Sequence, residues 1–422
     1  MAVKLDISKV YDRVEWEFLR QIMLKLGIDD RWIRLAMETV CIASYSVLIN
    51  GEPRGFINPS RGIKQGDPLS PYLFLFCAEG LSSLLRKAVE SKQLHEILSC
   101  TNGVCISHLL FADDSFIFCE ATLEEWKCLL HLLGCYEVAS GQEISRQKMS
   151  IFISRNTRSE VKADIQTLMG ARVMENCEKY LGLPMVGGKS KVNTFKDLQE
   201  KITKRVMGWK EKFISKVGRE ILIKTIAQAI RIYSMGIFRI PKALCDKINS
   251  TLAWRGQTKD EKKVHWINWK KLCTSKKCGG MGFRDIQAFN LAILTKQAWR
   301  LIHSMHSLFY RVYKSRYFPN CSFLDADLGN NPSYVWRSLL AARDIITERS
   351  LWKVGDGRHI EVSTHKWLPH KPVFLGEDRP TLHVSDLIDA TTMQWDREKI
   401  FDLFAHQTRM EILAIPLSMT NT

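Results

Sequence analysis

Apolar and polar positions alternate at the start of the chain and then change to a helical spacing. The alternation over residues 2–7 predicts a strand, and the apolar spacing over 16–27 predicts a helix that ends at a glycine. The dipeptide Asn50-Gly51, between two runs rich in apolar residues, predicts the turn of a hairpin over 46–57. The first quarter of the chain is therefore expected to combine helices with strands.

The same kind of pattern continues to about residue 150. The next predicted elements are a helix over 70–88, a hairpin over 104–119, a helix over 123–139 and a strand over 149–153. The second hairpin has two carboxylates, Asp113 and Asp114, at its tip. This order of elements predicts an α+β domain in which helices pack on an antiparallel sheet.

Past residue 184 the pattern becomes mainly helical. Apolar residues recur every three or four positions over 198–213, 222–233 and 286–303. A glycine-rich break at 278–282 predicts a linker, and a Gly-Asp-Gly sequence predicts the turn of a hairpin over 351–360.

The net charge of +16 favours a polyanionic partner, although a generally basic surface is the alternative. Residues 189–231 contain twelve Lys or Arg against four Asp or Glu, so half of the excess lies in a tenth of the chain. These helices are therefore expected to present cations to nucleic acid phosphates, or else to form a solvated charged face.

The distribution of apolar residues and cysteines argues against a membrane or secreted protein. The longest apolar runs are far shorter than the roughly 20 residues of a bilayer span, and the first residues lack the features of a signal peptide. Twelve scattered cysteines are typical of reduced thiols. We expect an intracellular protein, in the nucleus or cytoplasm, without disulfides or membrane contact.

Three carboxylates are predicted to converge at one edge of the sheet. Asp6 ends the first strand, and Asp113 and Asp114 occupy the tip of a hairpin whose flanks are apolar. Carboxylates so close together repel and need cations, and hard oxygen ligands suit Mg²⁺. Two such ions can activate a hydroxyl and stabilise a leaving phosphate. Taken singly, Asp6 could instead cap a helix and the doublet could be an exposed acidic turn.

Three segments of the chain resemble the motifs of one enzyme family, in the family's order. Residues 4–16 (KLDISKVYDRVEW), 61–74 (RGIKQGDPLSPYLF) and 111–114 (FADD) are similar to the catalytic motifs of reverse transcriptases from plant non-LTR (LINE-type) retrotransposons. The similarity continues through residues 180–184 and 266–283. It implies a right-hand polymerase palm with incomplete fingers, a helical basic thumb and a mainly helical C-terminal extension.

The resemblance also implies a role for each matching residue near the metal. Asp6, Asp113 and Asp114 would hold two Mg²⁺ ions, with Mn²⁺ as a substitute, and the carbonyl of Ile7 would join them. Lys148 matches a lysine that would donate a proton to the pyrophosphate or pair with it. The residues just before Lys148 depart from the family pattern, and a solvated lysine is the alternative.

Two further segments would contact the incoming nucleotide. The ring of Tyr11 would lie beneath the sugar and disfavour a 2′-hydroxyl, although a core aromatic is the alternative. Gln65 and Gly66 would pass close under the new base pair, because glycine allows a close approach of the backbone, or would simply form a turn.

The resemblance predicts three regions and one reaction. The regions are a palm with partial fingers at 1–175, a thumb-like region at 176–255 and a retrotransposon connection region at 256–422, which ends before any zinc-binding region. The reaction is RNA-directed DNA synthesis from dNTPs on an RNA template and DNA primer. Because the similarity begins at the start of the chain, we expect an N-terminally truncated element whose activity is impaired.

Alternative functions remain open at this point. One is a catalytically inactive, nucleic-acid-binding remnant of the element, and another is a two-metal nuclease, which also uses clustered carboxylates. A zinc site at Cys273 and Cys278 with His265 lacks a second pair of ligands at the usual spacing.

Overall fold

The computed structural model describes residues 1–112, 114–154, 156–169, 172–173, 179–180, 183–184, 195–208, 215–227, 232–253, 268–376, 381–389 and 391–417. They form two compact units. The first contains residues 1–195 and 305–321, and the second contains 196–304 and 322–422. Helices and strands are mixed, as the pattern predicts. No helix in these described ranges is long and apolar enough to cross a membrane.

The described part of the first unit contains the strands of the central sheet and six helices. Its strands are β1 (Ala2–Ser8), β2 (Tyr45–Ile49), β3 (Glu52–Ile57), β4 (Ile97–Leu98), β5 (Cys105–Ile106), β6 (His108–Phe111), β7 (Asp114–Phe118), β8 (Glu143–Ile144), β9 (Ser150–Phe152), β10 (Arg172–Val173), β11 (Lys179–Tyr180) and β12 (Leu183–Pro184). Its helices within the first 195 residues are α1 (Trp16–Lys25), α2 (Asp30–Cys41), α3 (Ser70–Glu90), α4 (Leu123–Ser140) and α5 (Ser159–Met169). A further helix, Leu308–Tyr317, comes from the later segment of this unit.

The sheet at the centre of this unit runs in the order β10-β9-β1-β7-β6, and β8 also pairs with β1. All pairings are antiparallel except that between β9 and β10. The first strand therefore lies in the middle of the sheet, next to the strand that follows the acidic tip. This arrangement confirms the prediction that β1 and the later hairpin are neighbours.

The two faces of the sheet differ because side chains alternate along each strand. Val3 and Leu5 of β1 and Ile117 of β7 are buried in a core that also contains Leu85 of α3 and Trp126 of α4. The alternate positions of β1 and β7 are only half buried. Helices therefore cover one face of the sheet, and the other face carries Lys4, Asp6 and Asp114 together with the stacked rings of Phe116 and Phe118.

The predicted hairpin around Asn50-Gly51 is confirmed as β2 and β3, and both turn residues have positive φ. Such a turn matches the twist of the strands it joins. Helix α2 was not predicted. Its apolar residues Ile33, Ala36, Met37 and Val40 do recur at helical spacing and pack on one core cluster, so the signal was present in the sequence.

The second unit is mainly helical. Its helices are α6 (Lys196–Gly208), α7 (Lys216–Leu222), a π-helical turn (Ile223–Ala227), α8 (Ile232–Met235), α9 (Lys242–Ala253), α10 (Trp269–Cys273), a 3₁₀ turn (Lys276–Cys278), α11 (Ile286–His303), α12 (Tyr334–Arg349), a 3₁₀ turn (Val384–Leu387), α13 (Arg397–Leu403) and α14 (His406–Leu413). Two short strands, β13 (Ile388–Asp389) and β14 (Gln394–Trp395), pair with each other. The helix predicted over 286–303 is confirmed in full.

The prediction of a hairpin over 351–360 is wrong. The segment folds as bends and turns, and its backbone bonds run to distant residues: Gly357 accepts from the N–H of Ser385, and Ile360 accepts from that of Val384. A β-carbon on Gly357 would lie 2.5 Å from the Ser385 nitrogen. The glycine is thus required for close packing against a later segment, a reason that local turn signals cannot reveal.

Candidate active site

Asp6 and Asp114 face each other across two paired strands. They are Cα partners in the antiparallel register of β1 and β7, which continues through Lys4 opposite Phe116 and Ala2 opposite Phe118. Their side chains share the half-exposed face of the sheet, with exposed fractions of 26% for Asp6 and 21% for Asp114. Directly opposed residues have β-carbons about 5 Å apart, so both carboxylates can reach a common ligand.

The third predicted carboxylate, Asp113, lies outside the described residues. Its neighbours set the frame of the turn: Ala112 has a positive φ of 50°, and Phe111 pairs with Asp114 in the β6–β7 register. Ser115 and Ile117 behind the turn are buried. Phe111 and Asp114, on either side of Asp113, are therefore paired with each other, and the strand that follows has one buried face.

Each described carboxylate has a lysine beside it. The ammonium of Lys4 lies 3.1 Å from Asp114 Oδ1, and that of Lys148 lies 3.1 Å from Asp6 Oδ1. Lys148 belongs to a tight turn, because its N–H donates to the carbonyl of Ser145, whose own N–H donates to the carbonyl of Asp6. Sequence reasoning included Lys148 but missed Lys4, which lies two residues before Asp6 on the same face.

Tyr11 packs between the first motif and the start of α3. Its ring lies 5.6 Å from that of Phe74, and its carbonyl accepts from the N–H of Ile63. The ring is partly buried against the cluster of apolar residues that includes Phe74. The half-buried side chain of Tyr11 is compatible with both predicted roles, a contact with the nucleotide sugar and a core aromatic.

Gln65 and Gly66 form an exposed turn. Gly66 has φ of 91°, a conformation that favours glycine, and a β-carbon there would meet no atom within 4 Å. The close approach occurs four residues earlier, where a β-carbon on Gly62 would lie 2.7 Å from the carbonyl oxygen of Asp12. The indole of Trp16 also donates to the Gly62 carbonyl, at 2.7 Å. Gly62 was not singled out from the sequence, although it belongs to the second motif.

A buried glutamine supports the loop that carries Tyr11, and sequence reasoning missed it. Gln142 is 1% exposed, and its amide donates to the carbonyl of Val10 at 2.8 Å. Its carbonyl oxygen accepts from the hydroxyl of Tyr136 at 2.5 Å. Burial also raises the pKa of that phenol far above its usual value, so the hydroxyl stays a donor. A single glutamine after Ser140-Gly141 offers no periodic signal that could have identified it.

The basic face predicted for the later helices is visible in α6. Ile202 and Val206 are buried, while Lys201, Lys204 and Arg205 on the same helix are exposed. Lys216 and Arg219 belong to α7, but their side chains lie outside the described part of the chain.

One predicted basic residue has an internal role instead. Lys224 donates to Glu220 at 2.5 Å and to the carbonyl of Met281 at 2.6 Å, and it lies over the ring of Phe283. It therefore joins the π-helical turn to the glycine-rich segment and is engaged within the unit. That segment, predicted to be a linker, forms an ordered turn.

A different group of residues meets the geometry of a metal site elsewhere in the described chain. His95, Glu120 and Glu125 offer ligand atoms within 4.8 Å of one another. Glu125, however, already accepts from the ring and backbone N–H of His95 and from the N–H of Glu120. This bonding explains the cluster as a support of the loops around α4. The proposed zinc ligand His265 lies outside the described residues.

The first part of the chain matches a known protein family. Residues 1–185 match the family model described as reverse transcriptase (RNA-dependent DNA polymerase). An uncharacterised mitochondrial protein of Arabidopsis thaliana is 41% identical over 143 residues, which cover 33% of this chain and 93% of that protein.

More distant relatives are larger proteins. The retrovirus-related Pol polyprotein from a type-1 retrotransposable element R2 of Popillia japonica is 34% identical over 113 residues, covering 27% of this chain and 18% of the polyprotein. A solved telomerase structure from Candida albicans has a TM-score of 0.33 at 10% identity, over 72% of this chain and 45% of that one. This last likeness is too distant for a comparison of the two sites. Residues 1–185 of this chain form a region of the reverse transcriptase (RNA-dependent DNA polymerase) family, in agreement with the resemblance of its motifs to those of non-LTR retrotransposon enzymes.

Proposed function

We propose that this chain carries out RNA-directed DNA synthesis, with Asp6, Asp113 and Asp114 as the metal ligands of the polymerase site. The observation that carries the proposal is the opposition of Asp6 and Asp114 across β1 and β7. Membership of the reverse transcriptase family supplies the reaction class, since its members use divalent metal ions. In this proposal the chain is divided into a palm with partial fingers, a thumb and a connection region.

The residues present fit a divalent metal. Both described carboxylates are partly exposed, and each lies within salt-bridge distance of a lysine ammonium, which an incoming metal ion would displace. Hard oxygen ligands of this kind suit Mg²⁺, with Mn²⁺ as a substitute, and two ions would require the third carboxylate. When bound, such ions lower the pKa of a primer hydroxyl and stabilise a leaving pyrophosphate.

Neighbouring side chains would position the substrates. Tyr11, held against Phe74, would lie under the sugar of the incoming dNTP and disfavour a 2′-hydroxyl. Lys148 is 67% exposed and could move from Asp6 to a phosphate without exposing a buried surface. Gln65 and Gly66, which form an exposed turn, would pass under the new base pair.

The template and primer would be held mainly through their phosphates. Exposed cations of α6 (Lys201, Lys204 and Arg205) offer contacts that carry no sequence information. Binding of an RNA–DNA duplex should then weaken steeply as salt rises. These partners and the dNTP are part of the proposal, because the chain spans only 18% of the R2 polyprotein it matches.

Primer extension on an RNA template with Mg²⁺ tests the proposal. Asp6→Asn and Asp114→Asn should each reduce the rate by about a hundredfold or more, because a metal centre supplies several kcal/mol. Asp12→Asn is the matched control, since Asp12 is an exposed carboxylate in the loop that follows β1, and it should extend at nearly the wild-type rate.

Two outcomes would contradict the proposal. If Asp6→Asn retained wild-type extension, the cross-strand pair would not be the metal centre. If the unaltered chain bound RNA but failed to extend a primer at any Mg²⁺ or Mn²⁺ concentration, it would be the inactive nucleic-acid-binding remnant instead.

A further inference from the structure

The resemblance to the family motifs implies no role for Lys4. It lies on β1 opposite Phe116 and Ser150, so that Asp114 is its diagonal neighbour on β7, and Asp6 follows it two residues later on the same face. Its ammonium lies 3.1 Å from Asp114 Oδ1, with exposed fractions of 22% and 21% for the two side chains. Diagonal neighbours on one face of an antiparallel pair are within reach of a long side chain.

The lysine on the other carboxylate is placed differently. Lys148 lies 3.1 Å from Asp6, but its side chain is 67% exposed and projects from a turn rather than from the sheet. An exposed lysine loses little when it leaves its partner. Lys4, in contrast, projects from the central strand of the sheet, and its side chain is only 22% exposed. The two lysines therefore have different roles.

We infer that Lys4 is a built-in counter-ion that positions Asp114 before the metal binds. In the absence of metal, Asp6 and Asp114 face each other as like charges, which is destabilising directly across strands. The ammonium of Lys4 offsets this repulsion and fixes the orientation of the Asp114 carboxylate. A metal ion entering the site takes over the neutralisation and competes with Lys4 for the same oxygen.

This inference rests on the proposed function, because it takes Asp6 and Asp114 to be metal ligands. It makes a distinctive prediction about stability. Without Lys4 the metal-free chain should be less stable, whereas the metal-bound chain should lose little, since the metal then neutralises the carboxylates. A purely structural role for the side chain would give the same loss in both states.

Thermal unfolding of the full chain in EDTA and in millimolar MgCl₂ tests the inference without any polymerase assay. Lys4→Met keeps the apolar stem and removes the charge, so it should lower the melting temperature in EDTA by a few degrees and by less than about 1 °C in Mg²⁺. Calorimetric titration should show Mg²⁺ binding about two- to fivefold more tightly to this variant. Lys4→Arg should restore wild-type behaviour in both measurements.

Two controls separate the inference from the proposed function. Lys399→Met removes a lysine that pairs with Asp396 at 3.5 Å in the other unit, and it should not change the Mg²⁺ dependence. Asp114→Asn should abolish most of the metal-induced stabilisation. If the wild-type chain shows that stabilisation and Lys4→Met loses equal stability with and without Mg²⁺, the role of Lys4 is refuted and the metal site stands. If the wild-type chain shows none, the metal site itself is refuted, and the inference with it.

Discussion

Replacing Gln142 with leucine should loosen the loop that carries Tyr11, although Gln142 contacts no proposed metal ligand. Its buried amide donates to the carbonyl of Val10, the residue before Tyr11, and accepts from Tyr136. Leucine fills a similar volume but leaves the Val10 carbonyl without this donor. The hydroxyl of Tyr136 keeps a second acceptor in the carbonyl of Cys77, at 3.2 Å. One partly buried carbonyl is therefore the main loss.

An unsatisfied buried acceptor costs 1–3 kcal/mol, so the free energy of unfolding should fall by about 2 kcal/mol. Urea denaturation of wild type and Gln142→Leu measures this difference. Gln21→Leu is the matched control, because the amide of Gln21 is exposed on α1 and its loss should cost less than about 0.5 kcal/mol. Combining Gln142→Leu with Tyr136→Phe should be non-additive, since the two residues share a hydrogen bond.

The functional result follows from the position of the loop. If Tyr11 selects the sugar, a looser loop should raise the KM for dNTP several-fold and weaken discrimination against rNTP more than it lowers kcat. Single-nucleotide extension with dNTP and rNTP measures both quantities. A Gln142→Leu variant within about 0.5 kcal/mol of wild type would refute the reasoning, because the bond would then not hold the loop.

Two further predictions concern the supports of the first unit. Gly62→Ala should lower the free energy of unfolding by about 2 kcal/mol or more in denaturant titrations, because its β-carbon would clash with the backbone of Asp12. Gly66→Ala is the control: it is strained only in φ and should lower the free energy of unfolding by about 1 kcal/mol. Equal losses in the two variants would contradict this explanation. The carboxylate of Glu125 raises the pKa of His95 above 6.5, so the stability that this pair contributes is present below pH 6.5 and lost as pH rises through the raised value. His95→Gln should therefore destabilise the chain more at pH 5.5 than at pH 8 in denaturant titrations, and a pH-independent difference would show that the ring is not charged there.

The opposition of Asp6 and Asp114 was predictable because it follows from two local patterns. Alternation along β1 and the apolar flanks of the acidic turn define two strands, and an antiparallel pairing of these strands brings Asp6 opposite Asp114. The pairing with Lys4 was not predictable in the same way. It depends on the diagonal register between strands, and a shift of the pairing by two residues would separate the ammonium from Asp114.

Supports that join distant segments also escaped prediction. Gln142 reaches Val10 across 132 positions of the chain, and Gly357 is required by the backbone of Ser385. In both cases the residue type is required by a contact with a residue far away in the sequence, which a local pattern cannot reveal. The mistaken hairpin over 351–360 has the same origin, since its turn signal was real but its backbone partners lie in a later segment.

The site and the core of the first unit depend on one and the same strand register. Val3 and Leu5 point into the core because side chains alternate with a period of two, and the same alternation brings Lys4 and Asp6 to the opposite face. A slip of the β1 pairing by one residue would expose Val3 and Leu5 and bury the charges of Lys4 and Asp6. Burial of apolar side chains therefore fixes the position of the carboxylates. It holds β1 in this register despite the repulsion between Asp6 and Asp114.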